Sequence, residues 1–311
     1  MGPIKSAVLI LLIFITLEYD TCLGGWTGPT EVVLGSWGTT TGKFAISYQD
    51  TQDIFPTTIA ISSTGRIAIS EDQTIKRVQI FLKGTFERSI DTFAFDLVYG
   101  LNDDLFVSGG GFRKYDSTGK LQWSKTDVSF DELYSTIDGI IVGHDNHKKT
   151  YYLYSPTGQI IKTSATRPLE LGLAQRGSAK SSGYLQSIKY PNTTFNFIIP
   201  WETLKSHHLD NNGNLIITAQ TDSKDAVYMI NPCGQILGQM QIPKDKGHII
   251  QQLGAEPVGE LDYEYGNPLI DANGNVFTWK RTPDKYRILK WTWLEAQTDY
   301  KKNCSAPDTG K

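Results

Sequence analysis

Three observations predict an all-β chain folded as a six-bladed β-propeller. A polar turn phrase ending in glycine keeps returning, apolar residues alternate on both sides of it, and equivalent copies lie roughly 37 residues apart. The phrase reads Ile61-Ser62-Ser63-Thr64-Gly65-Arg66-Ile67, then Tyr115-Asp116-Ser117-Thr118-Gly119-Lys120-Leu121, then Tyr154-Ser155-Pro156-Thr157-Gly158-Gln159-Ile160. It returns as Leu209-Asp210-Asn211-Asn212-Gly213-Asn214-Leu215, as Ile230-Asn231-Pro232-Cys233-Gly234-Gln235-Ile236 and as Ile270-Asp271-Ala272-Asn273-Gly274-Asn275-Val276. Asp, Asn, Ser or Pro starts each turn, and glycine takes the positive φ that lets the chain reverse. Period-2 alternation then supplies a strand on each side.

The copies sort into two sets. Gly65, Gly139, Gly213 and Gly274, with Asp103-Asp104, are expected between the first two strands of a unit. Gly84, Gly119, Gly158 and Gly234 are expected between its third and fourth strands. Gly139 follows Asp104 by 35 residues and Gly213 follows Gly139 by 74, which is two units of about 37. Units of four strands at this period are propeller blades. Where no glycine marks the turn, the alternation at 184–190 and 195–199 predicts a degenerate fourth blade that reverses at Pro191-Asn192.

The segment Leu34-Gly35-Ser36-Trp37-Gly38, then Gly42-Lys43-Phe44, Phe55-Pro56, Ile59-Ala60, Gly65-Arg66-Ile67 and Arg77-Val78-Gln79-Ile80-Phe81 resembles the NHL-repeat family over residues 34–88. Ser62 stands where that family's acidic residue precedes the first-turn glycine. The resemblance implies a six-bladed propeller with a central channel and no single activity, because such folds serve many functions. It also implies how the ring closes. The last unit supplies three strands, and 31–36 pairs as its outer strand, which removes an exposed edge. A free N-terminal arm is the other reading of residues 25–45. Trp26, Trp37, Trp279, Trp291 and Trp293 are expected in the packing between blades.

The N-terminus reads as an export signal. Lys5 precedes an apolar run from Ala7 to Leu17, and Cys22-Leu23-Gly24 supplies small residues for cleavage before Gly25. The run is short against the ~20 apolar residues of a stable span, although an uncleaved tether is the alternative. The division expected is a signal peptide over 1–24, one propeller domain over 25–294 and a C-terminal tail over 295–311. Cleavage leaves two of the three cysteines, Cys233 and Cys304, as a candidate disulfide in an oxidising compartment, with two unpaired thiols as the alternative. Asn192-Thr193-Thr194 and Asn303-Cys304-Ser305 match glycosylation sequons. A net charge of −3 and a pI near 6.0 give no reason to expect a nucleic-acid partner.

Catalytic signatures are absent. There is no Gly-x-Ser-x-Gly, and Gly109-Gly110-Gly111 lacks the lysine of a phosphate loop and reads as a blade turn. His207 and His208 fall on the first strand of a blade but face opposite ways, so they are a poor pair for one metal ion. His144-Asp145-Asn146-His147 reads as a polar hairpin tip. Ile59, Ile137 and Leu269 make the innermost positions look apolar, which favours binding over channel chemistry.

One stretch breaks the rhythm. Residues 243–265 form a long connection carrying Glu256, Glu260, Asp262, Tyr263, Glu264 and Tyr265, a candidate partner-binding loop unless the tyrosines pack inward to anchor it. The expected function is an exported, monomeric, non-enzymatic scaffold that binds a protein or glycan and needs no cofactor. The alternative is a channel-centred hydrolase, lactonase or lyase dependent on a divalent cation.

Overall fold

The structure, a computed structural model, describes residues 25–45, 47–49, 52–54, 56, 58–71, 75–180, 183–200, 204–220, 224–243, 268–281 and 285–294. Six sheets of three or four strands form a β-propeller, and the only helices among the described residues are two single 3₁₀ turns. The chain opens with β1 (Gly25–Ser36) and a small hairpin, β2 (Ser47–Gln49) and β3 (Gln52–Ile54). Blade 1 is β4 to β7 (Thr58–Ile61, Arg66–Glu71, Arg77–Leu82, Thr85–Ile90), and blade 2 is β8 to β11 (Asp96–Tyr99, Leu105–Ser108, Phe112–Tyr115, Leu121–Lys125). Blade 3 is β12 to β15 (Glu132–Ser135, Ile141–Asp145, Thr150–Tyr154, Ile160–Ser164), and blade 4 has three strands, β16 to β18 (Leu173–Lys180, Gly183–Tyr190, Thr193–Ile199). Blade 5 is β19 to β22 (Leu204–Leu209, Leu215–Gln220, Lys224–Ile230, Ile236–Pro243), and blade 6 is β23 to β25 (Leu269–Ile270, Val276–Arg281, Lys285–Leu294) with β1 outermost.

The recurring turn phrase has one physical basis. Its first residue accepts backbone N–H groups through its side-chain oxygen. Asp210 Oδ1 takes those of Asn212 and Asn214, Asp271 Oδ1 those of Asn273 and Asn275, and Asn231 Oδ1 those of Cys233 and Gln235. Glycine at the fourth position then turns the chain, at φ +78° in Gly213 and +80° in Gly274. Ser62 does the same work in blade 1, where its Oγ accepts the Arg66 N–H at 3.0 Å. A hydroxyl thus serves where an acidic residue was expected, because the turn needs an acceptor and not a charge.

Second strands are buried on both faces, which is why they read as nearly unbroken apolar runs. In β5, Ala68 packs towards blade 2 while Ile67 and Ile69 pack towards blade 6. In β20, Leu215, Ile217 and Ala219 face blade 4 and Ile216 faces blade 6. The tryptophans lie in these seams: Trp26, Trp291 and Trp293 between blades 5 and 6, Trp37 and Trp279 between blades 6 and 1.

The N-terminal segment is held on both sides. β1 pairs antiparallel with β25 from Gly25 opposite Leu294 to Ser36 opposite Lys285, a longer strand than the 31–36 expected. Beyond it, the loop through residue 45 is fastened to blade 1. Arg77 donates to Glu71 and to the carbonyls of Thr39, Thr40 and Lys43, and Gln79 bonds Gly42 N and Lys43 O, both at 2.7 Å. Ala45 N–H completes the set on Glu71 Oε1 at 2.6 Å.

Candidate binding site on the inner wall

The first strand of each regular blade lines the centre. β8 lies beside both β4 and β12, and Asp96 Oδ2 accepts the Leu133 N–H across that gap at 2.6 Å. Blade 4 departs from this plan, and glycine packing shows which strand it lacks. In three blades the turn between the third and fourth strands presses its glycine on the outer strand of the preceding blade: Gly84 on Val32, Gly119 on Arg88 and Ile90, Gly158 on Trp123. Gly234 of blade 5 presses on Asn196 of β18 in the same way. β18 is therefore the outer strand of blade 4, and the innermost one is missing.

Residues 165–172 run through that vacated position. Leu171 packs on Val142, Leu153, Tyr134 and Ile140 of blade 3. Gly172, at φ +73°, fits between blades 4 and 5; a Cβ there would sit 2.7 Å from Tyr190 Cζ and 2.8 Å from His207 Cε1. Arg167 places its guanidinium 5.3 Å from the Tyr134 ring centre and donates to Gly172 O at 3.3 Å and Leu171 O at 3.4 Å. An irregular stretch carrying a charge thus replaces a strand, which leaves this part of the wall polar.

Neighbouring inner strands extend the polar wall. Asp96 begins β8; burial raises its carboxyl to about 6 against the pull of the Leu133 and Leu97 N–H groups. Glu132 begins β12, accepts the Tyr134 hydroxyl and lies 3.3 Å from His144 Nδ1, while the His144 ring stacks on Tyr151 at 4.1 Å. Burial, and then the bond to Glu132, pushes the Tyr134 phenol up. On β19, His207 Nδ1 is 3.1 Å from the Tyr190 hydroxyl. Burial first, then the positive charge of Arg167 and His208, lowers His207 to about 4; burial alone lowers His208 to about 4. His208 Nε2 is buried without a partner among the described residues. At neutral pH both imidazoles are neutral.

The structure corrects one expectation. Ile59 is buried on β4 and Leu269 is on β23, but Ile137 sits in the turn after β12 and is 54% exposed. The innermost strand of blade 3 is Glu132–Ser135, so the wall is polar through blades 2 to 5 instead of apolar throughout. His207 and His208 lie on a first strand as expected, and His144 and Asp145 end β13 before the 146–149 tip. Gly109-Gly110-Gly111 is the turn between β9 and β10. Glu256, Glu260, Asp262, Tyr263, Glu264, Tyr265 and Cys304, together with residues 1–24, lie outside the described residues. Asp96, Glu132, Tyr134 and Arg167 were missed. The signal available for three of them was their place at or near the start of a unit's first strand; Arg167 had none, because its segment has no repeat counterpart.

The fold defines the chain as a six-bladed β-propeller. No protein-family model matches it, and no curated protein matches it. Among solved structures it is similar to a catalytically inactive virginiamycin B lyase from Staphylococcus aureus, at 14% identity and a TM-score of 0.45, over 81% of this chain and 99% of that one. It is also similar to a gluconolactonase from Xanthomonas campestris, at 13% identity and a TM-score of 0.43 over 85% and 98% of the two chains. BamB from Moraxella catarrhalis is similar at 10% identity and a TM-score of 0.37 over 86% and 98%. Likenesses of this size say nothing about activity, and the architecture rests on the strand pairing itself.

Proposed function

We propose that this propeller is an exported, non-enzymatic binding protein that holds a protein or glycan partner against the inner wall of blades 2 to 5. The observation that carries this reading is the mutual engagement of the wall's polar groups. Glu132 serves Tyr134 and His144, Arg167 covers Tyr134, and His207 bonds Tyr190. Side chains fixed by one another present a preorganised recognition surface at low entropic cost. An acid–base catalyst instead needs a group with free access to the proton it moves.

The alternative, a hydrolase, lactonase or lyase centred on a divalent cation, draws support from Asp96, whose carboxyl titrates near the pH range of general catalysis. It also needs several donors converging on one ion. Among the described residues no group of three or more His, Cys, Asp or Glu does so. Metal analysis of the purified protein separates the two readings, and a stoichiometric cation favours the enzyme.

Export rests on the N-terminal sequence, and among the described residues no helix is long and apolar enough to cross a membrane. The proposed disulfide joins Cys233 to Cys304, and the disulfide-bonded state of Cys233 supports it. One experiment covers these points: cross-linking the native protein in place, followed by mass spectrometry. The expected result is a chain that starts at or near Gly25, a Cys233–Cys304 peptide that separates on reduction, and cross-links from blades 2 to 5 to one partner. Recovery of intact Lys5 in mature protein contradicts export, and free Cys233 contradicts the pairing.

A further inference from the structure

Arg167 and Glu170 are the two charged residues of the segment that replaces an inner strand. The guanidinium is half-buried, and among the described residues no carboxylate lies within ion-pair distance of it. Its two backbone hydrogen bonds, at 3.3 and 3.4 Å, are long and go to neutral carbonyls, and its side-chain partner is the neutral Tyr134 phenol. A charge taken partly out of water without a counterion is unfavourable, and a ligand carboxylate paired with both terminal nitrogens offsets that cost. The planar fork of arginine fits that group, whereas a point charge does not.

The surroundings narrow the ligand further. Tyr134 separates the guanidinium from Glu132, whose side chain is 47% exposed and accepts the tyrosine hydroxyl. A fixed negative charge so close to Arg167 disfavours a polyanion and suits a ligand with one negative charge. Glu132 adds acceptors for hydroxyl donors. His207 is a neutral imidazole whose Nδ1 is engaged by the Tyr190 hydroxyl, which leaves Nε2 for a ligand hydroxyl. An arginine fork beside a carboxylate acceptor, an aromatic ring and a neutral imidazole suits a hydroxyl-rich ring that bears a single carboxylate.

We infer that Arg167 anchors a site for an acidic sugar of the uronate type, with Glu132, Tyr134 and His207 as the partners of its hydroxyls. This rests on the binding reading above and specifies its ligand. The carboxylate pairs with the Arg167 fork, and the ring lies along the wall between the inner strands of blades 3 and 5.

The test is titration of the purified protein with glucuronate, followed by calorimetry or by chemical-shift perturbation, with glucose and acetate as separate arms. Glucuronate should bind saturably and each control at least tenfold more weakly. Arg167→Gln should lose the glucuronate response by at least tenfold, and Arg167→Lys should recover only part of it. Both variants should melt near the wild type, since no strand pairing depends on Arg167. Glucuronate binding that Arg167→Gln leaves unchanged, or none by wild type, overturns the assignment. Equal binding of acetate overturns the sugar class. If the wild type fails to bind glucuronate but still cross-links its native partner, this site falls and the broader binding reading stands.

Discussion

Replacing Arg77 with alanine should destabilise the protein by about 3–5 kcal/mol, the largest effect expected of any single surface-loop or core tie here. Arg77 is 7% exposed and Glu71 2% exposed, so the substitution leaves a carboxylate buried without its cation. Burial already raises Glu71 above the usual glutamate value, even with Arg77 in place. The same side chain holds three carbonyls of the loop that leads from β1 into blade 1. Losing it both strands a charge and loosens the segment that bridges blade 6 to blade 1. Chemical denaturation should show the midpoint fall sharply in Arg77→Ala. The double change Glu71→Gln, Arg77→Ala should recover part of it, because the stranded charge is gone while the loop bonds are still missing. A loss under 1 kcal/mol in Arg77→Ala contradicts this account of the joint.

Acid should destabilise the folded state through His207 and His208. Both titrate near 4 in the fold against about 6.5 for an ordinary histidine, so between these values the unfolded chain binds more protons. Stability from each is complete above pH 6.5 and is lost as pH falls towards 4, up to about 3 kcal/mol apiece. Asp96 acts with the opposite sign. Its pKa rises from 3.8 to about 6, so its folded form prefers the proton and gains as pH falls through that window. The three together leave a net loss of about 3 kcal/mol between pH 6.5 and 4. The profile of stability against pH across that range should reverse in the His207→Gln, His208→Gln double variant, which keeps only the Asp96 gain, and steepen in Asp96→Asn. A pH profile unaltered by the double variant contradicts the burial of these imidazoles.

The architecture was legible because it repeats. Each turn needs an acceptor, two spacer residues and a glycine, so Asp210 to Gly213 and Asp271 to Gly274 could be matched before any contact was known. Even Ser62, which breaks the acidic pattern, keeps the acceptor. The inner wall was harder to read, because period-2 alternation assigns residues to faces of a strand but does not say which strand ends reach the centre. Ile137 was placed at the centre although the turn glycine, Gly139, follows it by only two residues. It belongs to the turn, and Glu132 and Tyr134 belong to the strand. Arg167 was invisible for a different reason. Its segment replaces a strand, so it has no counterpart in other blades and no alternation to mark it.

Hydrogen–deuterium exchange on the protein with and without its cross-linked partner tests the central claim, that ligands are held on the inner wall of blades 2 to 5. Binding should protect amides in 96–99, 132–135, 165–172 and 204–209 and leave the outer strands β7, β11 and β15 as they are in the free protein. Protection confined to those outer strands, with the inner wall exchanging at its free rate, contradicts the claim.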